Sequence, residues 1–166
     1  MSAVDPTVPR WRRALALLGF LAICLVVGRG AGYVTVPAVR DWYPTLTKPS
    51  WTPPDWLFPI AWSILYAMMA IAVWLVWRRP AATPWRDRAI GLWWLQLGLN
   101  LAWSFLFFGQ REPLLALVDV LLLWFAILAT IAAFNRVERL AAWLMVPYLL
   151  WVSYATAVNA AIVGMN

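Results

Sequence analysis

The groups in this chain best suited to hold a ligand are indole rings and two side-chain amides, and both recur at helical spacing. Trp62, Tyr66, Met69 and Val73 stand at i, i+4, i+7 and i+11, which places them on one stripe of a helix. Gln96, Asn100, Trp103 and Phe107 repeat that spacing, and so do Pro147, Trp151, Tyr154 and Val158. Polar amides inside an apolar run usually face protein or a cavity. Here they share a stripe with Trp103, so flat aromatic faces and hydrogen-bonding groups coincide, as a pocket for a flat, partly polar ligand requires. The competing reading is packing alone, with aromatic stripes filling a core and Asn100 bridging two helices. Asp119 is a further ionisable group within an apolar run and a functional candidate on that ground. Its alternatives are a charge or hydrogen bond shared with Arg29 or a neighbouring helix, or a position at the membrane surface beside Arg111 and Glu112.

Other chemistry is excluded by inventory. There is no His, and the one Cys is Cys24. That removes zinc sites, imidazole ligation of haem iron, Cys–His nucleophile pairs and any disulfide within the chain. Cys24 lies in an apolar run and reads as an inert packing residue. No acid–base or nucleophile constellation supports ordinary hydrolysis or group transfer.

The elements that must position these stripes are membrane helices. The chain is 64% hydrophobic and 12% charged, with a mean hydropathy of +0.75. A soluble domain of 166 residues cannot hide that much apolar surface. Apolar runs near residues 13–34, 56–78, 88–109, 114–134 and 140–163 each reach the roughly 20 residues a bilayer crossing takes. The links between runs two to five are short, which predicts antiparallel neighbours in a single up-down bundle with no second domain. The first run follows Arg10, Arg12 and Arg13 as a signal peptide would, but no clear cleavage site ends it, so a retained helix is expected.

The net charge of +6 would suggest nucleic acid in a soluble protein. Here the arginines cluster between apolar runs and read instead as orientation signals. Arg10, Arg12, Arg13, Arg78, Arg79, Arg86, Arg88, Arg136 and Arg139 fall on one side of a five-helix protein, against Arg29, Arg40, Lys48 and Arg111. The bias predicts a cytoplasmic N-terminus and an external C-terminus. An inner membrane suits this pattern best, with an outer membrane still open.

One connection is long, from about Thr35 to Asp55, and it is rich in Pro and Trp. Restricted backbone and packed indoles predict a structured loop. Thr52, Pro53 and Asp55 read as the capped start of the next helix. The loop is either an aromatic belt in the headgroup layer or a lid folded over the bundle.

The order and spacing of several blocks then resemble the TspO/translocator protein family, the tryptophan-rich sensory proteins or peripheral-type benzodiazepine receptors. The blocks are Trp42-Tyr43, Lys48-Pro49-Ser50-Trp51-Thr52-Pro53-Pro54, Trp62 with Leu65-Tyr66, Gln96-Leu97-Gly98-Leu99-Asn100 with Trp103-Ser104, Phe107-Phe108-Gly109, Pro147-Tyr148-Leu149-Leu150-Trp151 and Ala155-Thr156. The resemblance implies an all-α bundle of five transmembrane helices, often dimeric, with a pocket under the loop after helix one. It implies porphyrins such as protoporphyrin IX, sterol-like lipids, and synthetic benzodiazepine or isoquinoline compounds as ligands. The pocket positions carried over are Trp51, Trp62, Tyr66, Asn100, Trp103, Trp151 and Ala155, with Leu115, Val118 and Leu122 from helix four. The basic residue that the animal sterol pattern needs on helix five is missing here, because nothing basic follows Arg139.

The leading expectation is a membrane protein that binds tetrapyrroles to carry, sense or dispose of them. The ring is a ligand here, and no resident cofactor is required. A second class is light- and oxygen-dependent porphyrin breakdown, with Trp62 and Trp151 as candidate electron donors. A third, a sterol or small-hydrophobe transporter, finds no inverted repeat in its support. Finally, Gly91, Gly98 and Ala102 lie opposite the polar stripe of helix three, where small residues let another helix approach, which predicts a homodimer.

Overall fold

The computed structural model describes residues 4–166. Each of the five expected runs is a helix long and apolar enough to cross a membrane. They are α1 (Arg10–Asp41), α2 (Leu57–Trp77), α3 (Arg86–Ser104), α4 (Pro113–Val137) and α5 (Arg139–Met165). α3 continues into a wider π turn over Phe105–Gly109, where the Gln110 N–H donates to the Phe105 carbonyl at 2.7 Å. Inside a bilayer the backbone finds no water, so uninterrupted helices are the way to satisfy its polar groups. Pro37 and Pro147 lie within α1 and α5 without ending them.

The helices close into a ring in the order α1, α2, α5, α4, α3. This departs from simple sequential adjacency. The link over 78–85 joins α2 and α3, yet the main partners of α2 are α1 and α5. The two ends of the bundle are fixed by contacts between links. At one end the Asp5 N–H donates to the Arg78 carbonyl at 3.1 Å, the Trp74 indole donates to the Arg13 carbonyl at 2.8 Å, and Arg79 forms an ion pair with Glu138. At the other end Asn166 and the Thr47 backbone exchange two hydrogen bonds of 3.0 Å. The clustered arginines therefore do share one end of the molecule.

Two local expectations are corrected. α1 runs past residue 34 to Asp41, so the loop spans only 42–56. Pro37 removes one donor but leaves the helix intact, while Val34 packs beside Gly109 and Ala38 is buried. The capped start at Thr52 is also absent. The Thr52 hydroxyl donates to the Pro49 carbonyl at 2.7 Å, and α2 begins after Trp56 with no side-chain cap.

The loop is structured, and it has two faces. Tyr43, in a short 3-10 turn over Tyr43–Thr45, is buried against Phe107 and Phe108, with ring centroids 6.3 and 5.9 Å away. The Lys48 ammonium donates to the carbonyls of Tyr43 at 2.6 Å and Leu46 at 3.2 Å and lies over the Tyr43 ring. The outer indoles of Trp51 and Trp56 are exposed. The same segment thus covers the bundle end with one side and presents indoles with the other.

Candidate ligand-binding site

α1 carries small residues toward its neighbours: Cys24, Gly28, Ala31, Gly32 and Thr35. α2 and the end of α3 answer with large rings. Tyr66 approaches so closely that a Cβ on Gly28 would lie 3.0 Å from its ring, while a Cβ on Gly32 would enter open space. Small residues facing rigid aromatics leave a gap, because rings cannot fold into the space that is left. The result is a cavity of about 640 Å³ between α1, α2 and the α3 end. Its walls include Trp62, Tyr66, Trp103 and Phe108. Leu25 and Val36, which also line it, are exposed on α1, so the cavity opens sideways as a groove.

Tyr66 is the best-fixed wall. Its hydroxyl donates to the Asn100 Oδ1 at 2.6 Å, and its ring lies 5.5 Å from that of Trp62 at 33°. Trp62 in turn meets Tyr148 edge-on at 6.2 Å. Trp103 stacks on Phe107 at 5.3 Å and 24° and donates its indole N–H to the Asn159 Oδ1 at 3.2 Å. The Tyr66–Asn100 and Trp103–Asn159 bonds pair these four buried polar groups, which holds the two rings in place.

A second cavity, of about 30 Å³, lies beside α5 and is lined by Trp103, Trp151 and Ala155. That is room for about one water molecule. Tyr43, Phe58, Trp103 and Phe108 border both cavities and form the wall between them. Burial, with Asp55 and Tyr154 nearby, pushes the Tyr43 phenol up to about 12, so this part of the wall stays a neutral donor at ordinary pH.

The expected site residues therefore divide. Trp62, Tyr66 and Trp103 come together on the large cavity. Trp151 and Ala155 face the small one, with Trp151 packed edge-on against Phe58 at 6.1 Å. Asn100 is buried behind Tyr66 and reaches neither cavity directly. Trp51 also lies outside both; its carbonyl accepts from the Tyr154 hydroxyl at 2.5 Å.

Leu115, Val118 and Leu122 are placed on the outer face of α4, at 51%, 54% and 56% exposure. The helical period turns Ala116, Asp119, Val120 and Leu123 inward instead. Asp119 is buried rather than at the surface, forms no ion pair with Arg29, and has one carboxylate oxygen without a partner among the described residues. Gly91 and Gly98 are exposed with open space beyond them, and Ala102 is half-buried on the same side.

What sequence reasoning missed is the contribution of α1. Gly28, Arg29 and Arg40 of α1 line the large cavity, together with Tyr43 and Asp55 of the loop and Phe58 of α2. The available signal was the small-residue stripe Cys24, Gly28, Gly32 facing a neighbour, next to an arginine inside an apolar run.

Known proteins are similar to this chain along most of its sequence. A family model described as TspO/MBR matches residues 20–165. The chain is 44% identical over 160 residues to "Tryptophan-rich protein TspO" of Chlorobaculum tepidum, covering 93% of this chain and 98% of that one. It is 37% identical over 153 residues to the protein of the same name from Archaeoglobus fulgidus, covering 92% and 97%. It is 39% identical over 154 residues to the human "Translocator protein", covering 91% and 88%. With five membrane-length helices and a match along most of its length, the chain is an integral multi-pass membrane protein of the TspO/MBR family.

Proposed function

We propose that this protein binds flat, apolar ligands of the porphyrin class, protoporphyrin IX foremost, in the groove between α1, α2 and the end of α3. The observation that carries this reading is the 640 Å³ cavity walled by Trp62, Tyr66 and Trp103. Ligand sites for molecules of that scale run from about 300 to 1,000 Å³ and are mostly apolar with a few placed polar groups. The lateral opening suits a ligand that arrives from lipid. With no His in the chain, the ring is held by stacking and shape, which favours the metal-free form. Sterol-like lipids and benzodiazepine or isoquinoline compounds fit the same apolar walls as secondary ligands. Titration with protoporphyrin IX, followed by quenching of tryptophan fluorescence, is expected to saturate at one ring per chain. Quenching that rises linearly without saturation would count against the site.

Two features of assembly belong to the same reading. The first is a homodimer through α3. Gly91, Gly98 and Ala102 share an outward face with the exposed Leu95 and Phe105. Replacing Gly98 and Ala102 by Leu is expected to leave monomers in detergent, because two isobutyl groups hold the helices apart. Light scattering that returns the wild-type mass for that double variant excludes this interface.

The second is orientation. Arginines collect at the end that holds the 78–85 link and Glu138, so that end faces the cytoplasm. A periplasmic reporter fused after Asn166 is expected to be active and a cytoplasmic one silent. The opposite pattern reverses the topology.

A further inference from the structure

We propose that Arg29 anchors an acidic group of the bound ligand, so that the groove selects apolar molecules carrying a carboxylate. This rests on the reading that the groove binds a flat apolar ligand, and adds to it which chemistry that ligand must bear.

Depth is the first observation. Gly28 stands level with Tyr66, whose ring its Cβ would approach to 3.0 Å. Tyr66 follows Leu57, the start of α2, by nine residues, about 14 Å along the axis. α2 has 21 residues, about 31 Å, which matches the hydrocarbon core of a bilayer. Arg29 therefore leaves α1 near the middle of the membrane, where a charge is costly and marks a functional site.

Isolation is the second. Among the described residues Arg29 has no ion pair and no side-chain hydrogen bond. The buried carboxylate Asp119 on α4 does not line the cavity that Arg29 lines. Asp55 does line it, but it sits above the start of α2, at the outer end. A guanidinium without an acid partner on an apolar groove is complementary to an anion brought by the ligand.

Geometry then identifies the source of that anion. A phospholipid headgroup sits at the membrane surface, on the order of 15 Å from the middle of the core. Side chains on a helix also lean toward its N-terminus, which in α1 is away from the nearer outer surface. Arg29 is thus badly placed for lipid phosphates. It is well placed for a carboxylate carried into the groove on an apolar body. Arg40, also on the cavity, lies eleven residues further along α1, about 16 Å, too far to share the same acid.

The experiment compares protoporphyrin IX, a diacid, with its dimethyl ester, both titrated by fluorescence quenching on protein in phosphatidylcholine nanodiscs. The proteins are wild type, Arg29→Gln, Arg29→Lys and the exposed control Arg111→Gln. Wild type is expected to prefer the diacid. Arg29→Gln is expected to weaken the diacid by about tenfold or more, the worth of one charge-assisted hydrogen bond, and to leave the ester unchanged. Arg29→Lys keeps the charge and should retain most of the preference, and Arg111→Gln should change neither ligand. Equal loss of both ligands in Arg29→Gln, or no loss of the diacid, overturns the anchor while the groove stands. If wild type binds neither ligand, the binding reading fails and the anchor fails with it.

Discussion

Trp62→Ala is expected to weaken protoporphyrin IX binding by roughly tenfold to a hundredfold, while Trp151→Ala costs about threefold at most. Trp62 borders the large cavity, and its indole is a wall that a planar ring can stack on. Stacking contributes about 0.5–1.5 kcal/mol beyond buried area, and losing the indole also removes a large contact surface. Since 1.4 kcal/mol is a factor of about ten, the sum reaches the stated range. Trp151 instead faces a space of about 30 Å³, behind Phe58. Fluorescence titrations on folded variants give both affinities. Wild-type binding by Trp62→Ala sinks the assignment of the groove. Equal large losses in both variants would mean that Phe58 moves on binding and the two cavities join. Trp62→Phe keeps an aromatic face and should cost less than Trp62→Ala. If light-driven breakdown of porphyrin occurs, Trp62→Phe should abolish it, because phenylalanine is far harder to oxidise than an indole.

The second large effect is on stability. Glu138→Ala is expected to destabilise the bundle by about 3 kcal/mol, the usual cost of removing one partner of a buried ion pair. Arg79 and Glu138 side chains are 8% and 13% exposed, so the guanidinium left behind would be short of both water and charge. The pair also ties the 78–85 link to the junction of α4 and α5, which makes it a clasp between parts of the ring that do not follow in sequence. Arg79→Met with Glu138→Leu should recover most of the loss, because it removes both charges together. Thermal or denaturant unfolding in one detergent measures all three. A double variant no more stable than Glu138→Ala would show that the pair contributes beyond mutual neutralisation.

Some of this was legible one residue at a time. The five helices follow from run length and hydropathy, since a bilayer demands about 20 apolar residues per crossing. The sharing of one end by the arginine clusters follows from alternation along the chain. Trp62, Tyr66 and Trp103 were readable as members of aromatic stripes, but the spacing fitted packing as well as a pocket, and it was the family resemblance that put them on a pocket. The helix-four positions were not readable in the same way. Leu115, Val118 and Leu122 differ from the buried Leu123 only in angle around α4, and in a bilayer both the lipid side and the core side are apolar. The contrast between polar and apolar faces that reveals the inside of a soluble helix is missing.

What the chain determines by itself is therefore the set of helices, their alternation and the small-residue and aromatic stripes. Tertiary structure alone decided the ring order α1, α2, α5, α4, α3, because short links fix which ends are near but not which faces meet. It also decided where the empty space lies. A cavity is a mismatch between faces on different helices, here small residues of α1 against the rings of Tyr66 and Trp62, and no single helix contains that information. For the same reason Arg29, a break in an apolar run when read along the chain, becomes a charge on a groove only once α1 is laid beside α2.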